Sequence, residues 1–258
     1  MEVSAEFMRR IAQAAATETL PRFRAAGDVA NKLQTGFDPV TEADREAEQA
    51  IRALIRAEFP GHGILGEEFG SENPDSEYVW VIDPIDGTRS FISGIPLWGT
   101  LVGLTRDGDA IAGMMAQPFT NELFYATGGK AWHDGPQGSF ALSTRKTAVL
   151  SDATLCTTTP SIFGSADRKA YDRLERAVRM PRYGTDCYGY AMVAAGHVDL
   201  VVEVGLQSYD IVALIPIIEA AGGVITDWHG GAAENGGSVV AAATPELHAA
   251  ALEVLHAG

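Results

Sequence analysis

The chain has 258 residues, 46% of them hydrophobic, which is enough to bury a sizeable core in one large domain or in two lobes. Its formal net charge of −15 repels phosphate backbones and therefore argues against nucleic-acid binding. No apolar run is as long as a bilayer requires, and the N-terminus lacks the apolar stretch of a signal peptide, so we expect a cytoplasmic protein without a membrane anchor.

The first part of the chain predicts two amphipathic helices. Apolar residues recur at near-helical spacing over residues 5–24, which indicates an opening helix with one buried face. Pro39 then interrupts the chain, and Thr41 is a suitable N-cap for a second helix that carries Asp44 in its first turn. We expect this second helix to end near Pro60.

The pattern then changes to short apolar runs separated by turn residues, which predicts strands. The predicted strands cover residues 78–82, 97–104, 111–115 and 122–125. Asp107-Gly108-Asp109, between two of these runs, is typical of a hairpin turn. The first half of the chain is therefore predicted to form two helices followed by a largely antiparallel sheet.

The second half alternates predicted strands and helices, which favours an α/β lobe. Strands are predicted at residues 154–157, 200–203, 224–226 and 238–242, and helices at 166–180, 188–195, 211–221 and 245–256. Gly222 follows the third of these helices, where a left-handed C-terminal cap is expected. We place the boundary near residues 136–143, which gives an N-terminal α+β lobe over residues 1–138 and a C-terminal α/β lobe over residues 139–258.

The strongest chemical signal is Asp83-Pro84-Ile85-Asp86-Gly87-Thr88, directly after a predicted strand. Two carboxylates three residues apart converge if the chain turns sharply, and the carbonyl of Ile85 would then face the same side. Carboxylate and carbonyl oxygens are the ligands that hard divalent cations prefer. The N–H groups at Gly87-Thr88 suit a phosphate. For an isolated Asp-x-x-Asp pair, a surface turn is the ordinary alternative.

Further acidic residues stand at the ends of predicted elements. Glu67 and Glu68 end an apolar run, Asp210 begins an apolar helix, and Asp44 lies in the first turn of another. Helix capping explains Asp210, and compensation of the helix dipole explains Asp44, when each is taken alone. Taken together, these acids beside apolar sequence favour a shared cation site.

These motifs resemble the signatures of the inositol monophosphatase superfamily. Residues 80–88 (WVIDPIDGT) resemble its first signature, and residues 38–44 (DPVTEAD) and 66–68 (GEE) are similar to its upstream motifs. Residues 209–213 (YDIVA) resemble its C-terminal signature, with Tyr209 where a Trp is more usual. The resemblance covers nearly the whole chain. It implies a mixed α+β and α/β fold of five alternating layers, an αβαβα sandwich, usually as a homodimer.

The resemblance also implies two to three Mg²⁺ ions in each active site. It assigns one ion to Glu67, Asp83 and the backbone carbonyl of Ile85. It assigns a second ion to Asp83, Asp86 and Asp210, with Asp83 as the bridging ligand. Glu67 would also serve a weaker third ion.

Water and phosphate are handled by further residues in this resemblance. Asp44 and Thr88 would orient the attacking water, so these two residues and Glu67 are the expected catalytic residues. The N–H groups of Gly87 and Thr88 would hold the phosphate. Lys32 would add positive charge nearby, with an ordinary surface lysine as the alternative.

The branch within the superfamily is indicated by residue 186. In inositol-specific members small residues usually follow the Gly-Thr pair, whereas Asp186 follows it here. Asp186 and Glu203 could accept charge-assisted hydrogen bonds from the ammonium and the imidazole of L-histidinol phosphate. The alternative is that Asp186 caps the following helix. Residues 186–190 (DCYGY) resemble the histidinol-phosphatase branch, which implies a phosphatase of histidine biosynthesis.

The expected partners are a small phosphate ester and a second copy of the chain, with neither nucleic acid nor membrane. The expected substrate contacts are Ile85, Asp86, Gly87, Thr88, Arg182, Gly184, Thr185, Asp186, Glu203 and Asp210. Arg182 would touch either the substrate or a neighbouring subunit. Two alternatives stay open: the same chemistry on inositol 1-phosphate or on other sugar and nucleotide phosphates, and a regulatory, protein-binding role.

Overall fold

The computed structural model of the protein describes residues 3–25, 29–31 and 39–257. The helices are α1 (Ala5–Thr19), α2 (Glu42–Glu58), α3 (Thr88–Ile92), α4 (Ser165–Ala177), α5 (Asp186–Ala194), α6 (Ser208–Ile211), α7 (Leu214–Ala220) and α8 (Pro245–His256). Single 3-10 turns lie at Leu150–Asp152 and Pro160–Ile162. The strands are β1 (Val29–Asn31), β2 (Pro39–Thr41), β3 (Gly63–Gly66), β4 (Gly70–Glu72), β5 (Tyr78–Asp86), β6 (Gly99–Arg106), β7 (Asp109–Gln117), β8 (Glu122–Thr127), β9 (Lys130–Gly135), β10 (Gly138–Ala141), β11 (Thr154–Thr157), β12 (Met180–Tyr183), β13 (Leu200–Leu206), β14 (Val224–Asp227) and β15 (Gly237–Ala242).

The two N-terminal helices pack against each other and form the first layer of the molecule. The predicted cap of α2 is confirmed, because the Thr41 hydroxyl accepts the Ala43 N–H at 3.1 Å. The predicted end of α2 near Pro60 is also confirmed. The first helix is shorter than predicted, since Pro21 has no N–H to continue the ladder and the chain turns after Thr19.

The larger sheet follows the order β10-β9-β8-β7-β6-β5-β3-β4. Its neighbouring strands are antiparallel except β3 and β5, which are parallel. The predicted hairpin is confirmed, since Arg106 pairs with Asp109 and both Asp107 and Gly108 have positive φ. β9 was not predicted, because its sequence KAWHDG contains no continuous apolar run.

The smaller sheet follows the order β12-β11-β13-β15-β14, with β11 parallel to both of its neighbours. The predicted helix over 166–180 ends at Ala177, and Met180–Tyr183 instead forms an edge strand. An edge strand tolerates Pro181, which has no N–H to donate. The predicted helix over 211–221 is divided into α6 and α7, because Pro216 offers no hydrogen to the carbonyl of Val212.

Three hydrophobic clusters fill the spaces between five layers, and one of them packs against both sides of the middle layer. The first lies between α1 and α2 and the larger sheet, and the second lies between the two sheets, where α5 and α7 are buried. The third lies between the smaller sheet and α4 and α8. The predicted layered αβαβα sandwich is therefore confirmed, whereas the division into lobes at residue 138 stays a prediction. In the described part of the chain, no helix has the length and apolarity needed to cross a bilayer.

Candidate active site

The turn after β5 gathers the central motif. Pairing of β5 with β6 continues beyond the predicted end at Ile82, and its register shifts between Asp83 and Asp86. The Asp83 Oδ1 atom accepts the Ile85 N–H at 3.0 Å, which bends the chain locally. Gly87 then adopts φ +80°, a left-handed conformation that glycine enters without steric cost, and α3 begins. Both aspartates of the motif therefore face one point.

Three carboxyl groups meet at that point. One oxygen each of Asp83, Asp86 and Asp210 lies within 4.8 Å of the other two. Asp83 is 2% exposed, and burial raises its pKa well above the usual range, as do the charges of Glu67, Asp86 and Asp210. Burial and the neighbouring Asp186 and Asp210 likewise raise the pKa of Asp86. Such a cluster of oxygens fits a hard divalent cation, which would offset the repulsion among the acids.

Glu67 joins this cluster from the neighbouring strand. It follows β3 directly, and its N–H donates to the Ile82 carbonyl at 3.1 Å, beside the end of β5. Its carboxyl group is within hydrogen-bonding reach of Asp83. The adjacent Glu68 side chain instead lies 3.9 Å from the Arg45 guanidinium. The structure thus brings the predicted ligands Asp83, Asp86 and Asp210 together and places Glu67 beside Asp83.

Asp86 is held from the second half of the chain. Its Oδ2 atom accepts the backbone N–H of Cys187, in the first turn of α5, at 2.7 Å. Cys187 is buried, and this burial raises the pKa of its thiol well above the ordinary value. The thiol is therefore protonated at neutral pH, which does not suit a cysteine nucleophile. Cys187 contributes its amide to the site.

Asp44 and Asp210 each close a capping box at the start of a helix. Asp44 Oδ2 accepts the Thr41 N–H at 2.8 Å and the Thr41 hydroxyl at 2.6 Å. Asp210 Oδ2 accepts the Gln207 N–H at 2.6 Å, so Gln207 is the N-cap, where the alternative interpretation had expected Asp210. In both helices the bond fixes the direction of the carboxylate.

The second oxygen of Asp44 points to a role beyond capping. Asp44 is completely buried, and its Oδ1 atom has no hydrogen-bond partner among the described residues. Burial raises the pKa of Asp44, and the charge of Glu67 adds to this, although the bonds from Thr41 oppose it. A buried oxygen beside Glu67 is available to a water molecule at the acidic cluster.

The predicted phosphate turn lies against Asp186. A Cβ atom on Gly87 would be 3.1 Å from both Asp186 Oδ2 and the Leu97 carbonyl, so a side chain at this position would force these neighbours to shift. The Thr88 hydroxyl donates to the Ile85 carbonyl at 3.1 Å. Both atoms were predicted to serve the site, and in the structure they contact each other.

Asp186 does not cap a helix. It is the first residue of α5, Thr185 is the N-cap, and the Thr185 side chain makes no capping hydrogen bond. The Asp186 carboxylate instead accepts hydrogen bonds from the Ser90 hydroxyl at 2.8 Å and the Thr158 hydroxyl at 3.3 Å. Its φ of +44° is unusual for a residue with a side chain and costs about 1 kcal/mol. The fold thus holds this carboxylate in place although the backbone conformation of Asp186 is unfavourable.

Glu203 lies next to Asp186. It is buried on β13 and accepts the Thr158 N–H at 2.5 Å. Burial raises the pKa of Glu203 to about 8, and the charge of Asp186 also raises it. Thr158 therefore joins the two acids, one through its N–H and the other through its hydroxyl.

Sequence reasoning missed Ser90 and Thr158. Thr158 follows β11, a parallel strand, and ligands of α/β sheets bind beyond the carboxyl ends of such strands. That rule would have singled it out. Ser90 offers only its closeness to the Gly87 turn, two residues after Thr88, as a signal.

The remaining predicted residues are divided between the pocket and the surface. Gly184 has φ +72°, and its N–H donates to the Thr158 carbonyl at 2.8 Å, which places Thr185 before α5. Arg182 is exposed on the edge strand β12, opposite Cys156. Lys32 and Asp38 lie outside the described residues.

Comparisons with known proteins agree with this geometry. The inositol monophosphatase family matches residues 1–257. The chain is 43% identical over 244 residues to the bifunctional phosphatase IMPL2, chloroplastic, of Arabidopsis thaliana, covering 90% of this chain and 69% of that protein. It is 33% identical to a histidinol-phosphatase of Mycobacterium tuberculosis, covering 98% of both.

A solved structure extends the likeness to the fold. An inositol monophosphatase from Zymomonas mobilis aligns with a TM-score of 0.87 and 38% identity, over 98% of this chain and 99% of that one. Sequence and architecture thus agree over essentially the full length. The chain therefore belongs to the inositol monophosphatase family and is a hydrolase of phosphoric monoesters.

Proposed function

We propose that this phosphatase hydrolyses L-histidinol phosphate, a step of histidine biosynthesis, with Mg²⁺ as its cofactor. The observation that carries the proposal is the pair of acids beyond the phosphate turn. Asp186 and Glu203 share Thr158, and Asp186 abuts Gly87. An ester bound at Gly87 and Thr88 would therefore extend its organic part towards two carboxyl groups.

The acidic cluster supplies the oxygen ligands for Mg²⁺. Glu67, Asp83, Asp86, Asp210 and the Ile85 carbonyl are the ligands we propose. When bound, Mg²⁺ activates water and offsets the negative charge of the phosphoryl oxygens.

The protein's own groups hold the water and the phosphate. Asp44 Oδ1 would accept a hydrogen bond from the attacking water, because its other oxygen is already bound to Thr41. The Thr88 hydroxyl would turn from the Ile85 carbonyl towards the same water. The N–H groups of Gly87 and Thr88 would bind the phosphoryl oxygens.

A cationic substrate suits the end of the pocket that carries Asp186 and Glu203. Burial of Glu203 disfavours its charged form, and a carboxylate in such a place is stable only with a cationic or hydrogen-bonded partner. The ammonium and the imidazole of L-histidinol phosphate would supply partners for both acids. Inositol offers hydroxyl groups alone, which form weaker bonds with carboxylates.

The test is phosphate release from L-histidinol phosphate and from inositol 1-phosphate, side by side, with Mg²⁺ and with a chelator. We expect kcat/KM to favour L-histidinol phosphate by at least about 100-fold, the ratio that two charge-assisted bonds supply. Activity should disappear on chelation. A preference for inositol 1-phosphate would overturn the substrate, and activity without any divalent ion would overturn the mechanism.

Inositol 1-phosphate is the second candidate, and the likeness to the Zymomonas mobilis inositol monophosphatase favours it. The likeness to the histidinol-phosphatase of Mycobacterium tuberculosis supports the first candidate. Asp186 distinguishes the two candidate substrates. An inositol ring carries no cationic group that could pair with this anionic side chain beside the phosphate turn. The homodimer and the regulatory role stay predictions.

A further inference from the structure

One face of α2 carries polar residues that are buried. Asp44, Glu48 and Arg52 follow one another at intervals of four and therefore share this face. Glu48 is 0% exposed and Arg52 4%. Asp44 belongs to the active site already described, whereas Glu48 and Arg52, which form an ion pair at 2.7 Å, are not among the residues proposed to contact the ester, the water or the cation.

The pair binds the backbone of the turn that carries Glu67. The two carboxylate oxygens of Glu48 accept the Glu68 N–H at 2.7 Å and the Phe69 N–H at 3.3 Å. The Arg52 guanidinium donates to the Gly70 carbonyl. Three consecutive residues after Glu67 are thus held by one buried ion pair.

The residue before Glu67 is fitted to the same carboxylate. A Cβ atom on Gly66 would lie 2.0 Å from Glu48 Oε1, so the close approach of α2 requires glycine there. Glu67 itself donates its N–H to the Ile82 carbonyl. Both neighbours of Glu67 are therefore fixed against Glu48, and its own amide is fixed against β5.

A buried ion pair is a poor way to add stability, because an apolar pair of similar volume is often equally stable or more so. Its specific effect here is geometric. We propose that Glu48 and Arg52 are positioning residues that direct the Glu67 carboxylate towards Asp83 and so set the affinity of the site for its divalent cation. This inference rests on the proposed Mg²⁺ site.

The experiment replaces the pair by apolar residues of similar size, Glu48→Met with Arg52→Leu, in the full chain. The control is Arg56→Met, which removes an exposed ion pair from the same helix to Glu72 of the same hairpin. Binding of Mg²⁺ is measured by calorimetric titration, and the melting temperature is measured in chelator. We expect the Mg²⁺ Kd of the double variant to rise about 10- to 100-fold, as for other residues that orient metal ligands. The Kd of the control should not change.

Activity provides a second readout. A positioning role predicts that the double variant needs more Mg²⁺ for half-maximal rate, with a nearly unchanged KM for the ester at saturating Mg²⁺. A purely structural role would lower the melting temperature and leave the Mg²⁺ Kd of the folded protein unchanged, which would overturn the inference.

The remaining outcomes are also decisive. If the double variant does not fold, Glu48→Gln, which keeps the size of the side chain, must show the same weakening of Mg²⁺ binding. An unchanged Kd in Glu48→Gln would then overturn the inference. Absence of Mg²⁺ binding in the unmodified protein would instead overturn the proposed function, so the two failures are distinguishable.

Discussion

At the residue scale, one carboxylate can serve both a helix and a reaction. Asp44 and Asp210 each use one oxygen to close a capping box, which fixes the side chain, and the other oxygen of Asp44 has no hydrogen-bond partner among the described residues. The capping interpretation and the functional interpretation of these acids are therefore compatible. This explains why an acid in a helix's first turn cannot be assigned from its position alone.

The two tasks of Asp44 can be separated by substitution. Asp44→Asn keeps an oxygen that accepts the Thr41 N–H, so we expect a small change in melting temperature. Because the second oxygen can no longer act as a base towards water, kcat should fall about 10²- to 10⁴-fold. Asp44→Ala should lose activity similarly and also about 1 kcal/mol of stability, measured by urea unfolding. Full activity in Asp44→Asn would limit this residue to capping.

Asp186 determines the choice of substrate in our proposal. We expect Asp186→Asn to lower kcat/KM for L-histidinol phosphate about 10- to 100-fold, the loss typical of one charge-assisted hydrogen bond. Turnover of inositol 1-phosphate should not fall. The matched control is Asp152→Asn, an exposed acid in the same half of the chain. Equal losses on both substrates would show that Asp186 holds the site together and does not select the ester.

Glu203 makes stability depend on pH. Its folded pKa of about 8 exceeds the ordinary 4.5, so the folded state binds this proton more tightly than the unfolded state. The resulting stability is present below about pH 4.5 and is lost as the pH rises through about 8. In chelator, the unfolding free energy of Glu203→Gln should therefore match that of the unmodified protein near pH 5. Near pH 9, the unfolding free energy of Glu203→Gln should exceed that of the unmodified protein by on the order of 2–4 kcal/mol, measured by denaturant unfolding. A constant difference across this range would contradict the prediction.

At the scale of elements, the link between α6 and α7 packs directly on the larger sheet. A Cβ atom on Gly113 would lie 2.0 Å from the Ala213 carbonyl oxygen, and one on Gly103 would lie 2.7 Å from the Val212 side chain. These two glycines let the link, and with it Asp210, approach the end of β5. Glycines in the middle of strands here indicate close backbone contact.

Gly113→Ala tests this contact. Because the obstructing atom belongs to the backbone, we expect a loss of at least about 2 kcal/mol in unfolding free energy and weaker Mg²⁺ binding. Gly61→Ala is the control, since nothing lies within 4 Å of its added Cβ. Unfolding in urea and calorimetric titration with Mg²⁺ are the measurements. A variant that matched Gly61→Ala in both would show that the link can move without disturbing Asp210.

Elements with local signals were predictable from sequence, and elements defined by distant contacts were not. The bounds of α8 match the prediction because Thr244 caps it and Pro245 opens it. The edge strand β12 was not predicted, and the helix predicted over 166–180 included its first residue, Met180, because the strand is defined by its pairing with β11.

The same distinction applies to the site. Its acids lie in short motifs, but Ser90 and Asp186 are 96 residues apart, and no local pattern relates them. The motifs therefore indicated the proposed metal ligands, and only the fold showed which hydroxyls hold Asp186.

At the scale of the whole molecule, the acidic cluster lies between the larger sheet and the second half of the chain. Asp83 and Asp86 end β5, whereas Asp210 begins α6. Repulsion among the three carboxylates therefore acts between parts of the chain that are distant in sequence. A bound cation would convert this repulsion into attraction and should stabilise the whole fold.

Asp210→Asn tests this electrostatic balance. In chelator, we expect its melting temperature to exceed that of the unmodified protein by a few degrees, because one of three like charges is removed. On addition of millimolar Mg²⁺, the unmodified protein should gain stability and the variant should gain less. Scanning calorimetry with and without Mg²⁺ measures both effects. An equal gain in both proteins would exclude Asp210 from the ligands.

The bond between Asp86 and the Cys187 amide has an evolutionary consequence. Asp86 is held by a backbone N–H, which every residue except proline can supply, whereas the proposed substrate contact is the side chain of the preceding residue, Asp186. If Asp186 selects the ester as we propose, a lineage can exchange residue 186 while the hydrogen bond between Asp86 and the amide of residue 187 persists. Divergence of specificity at this position leaves the shared chemistry intact.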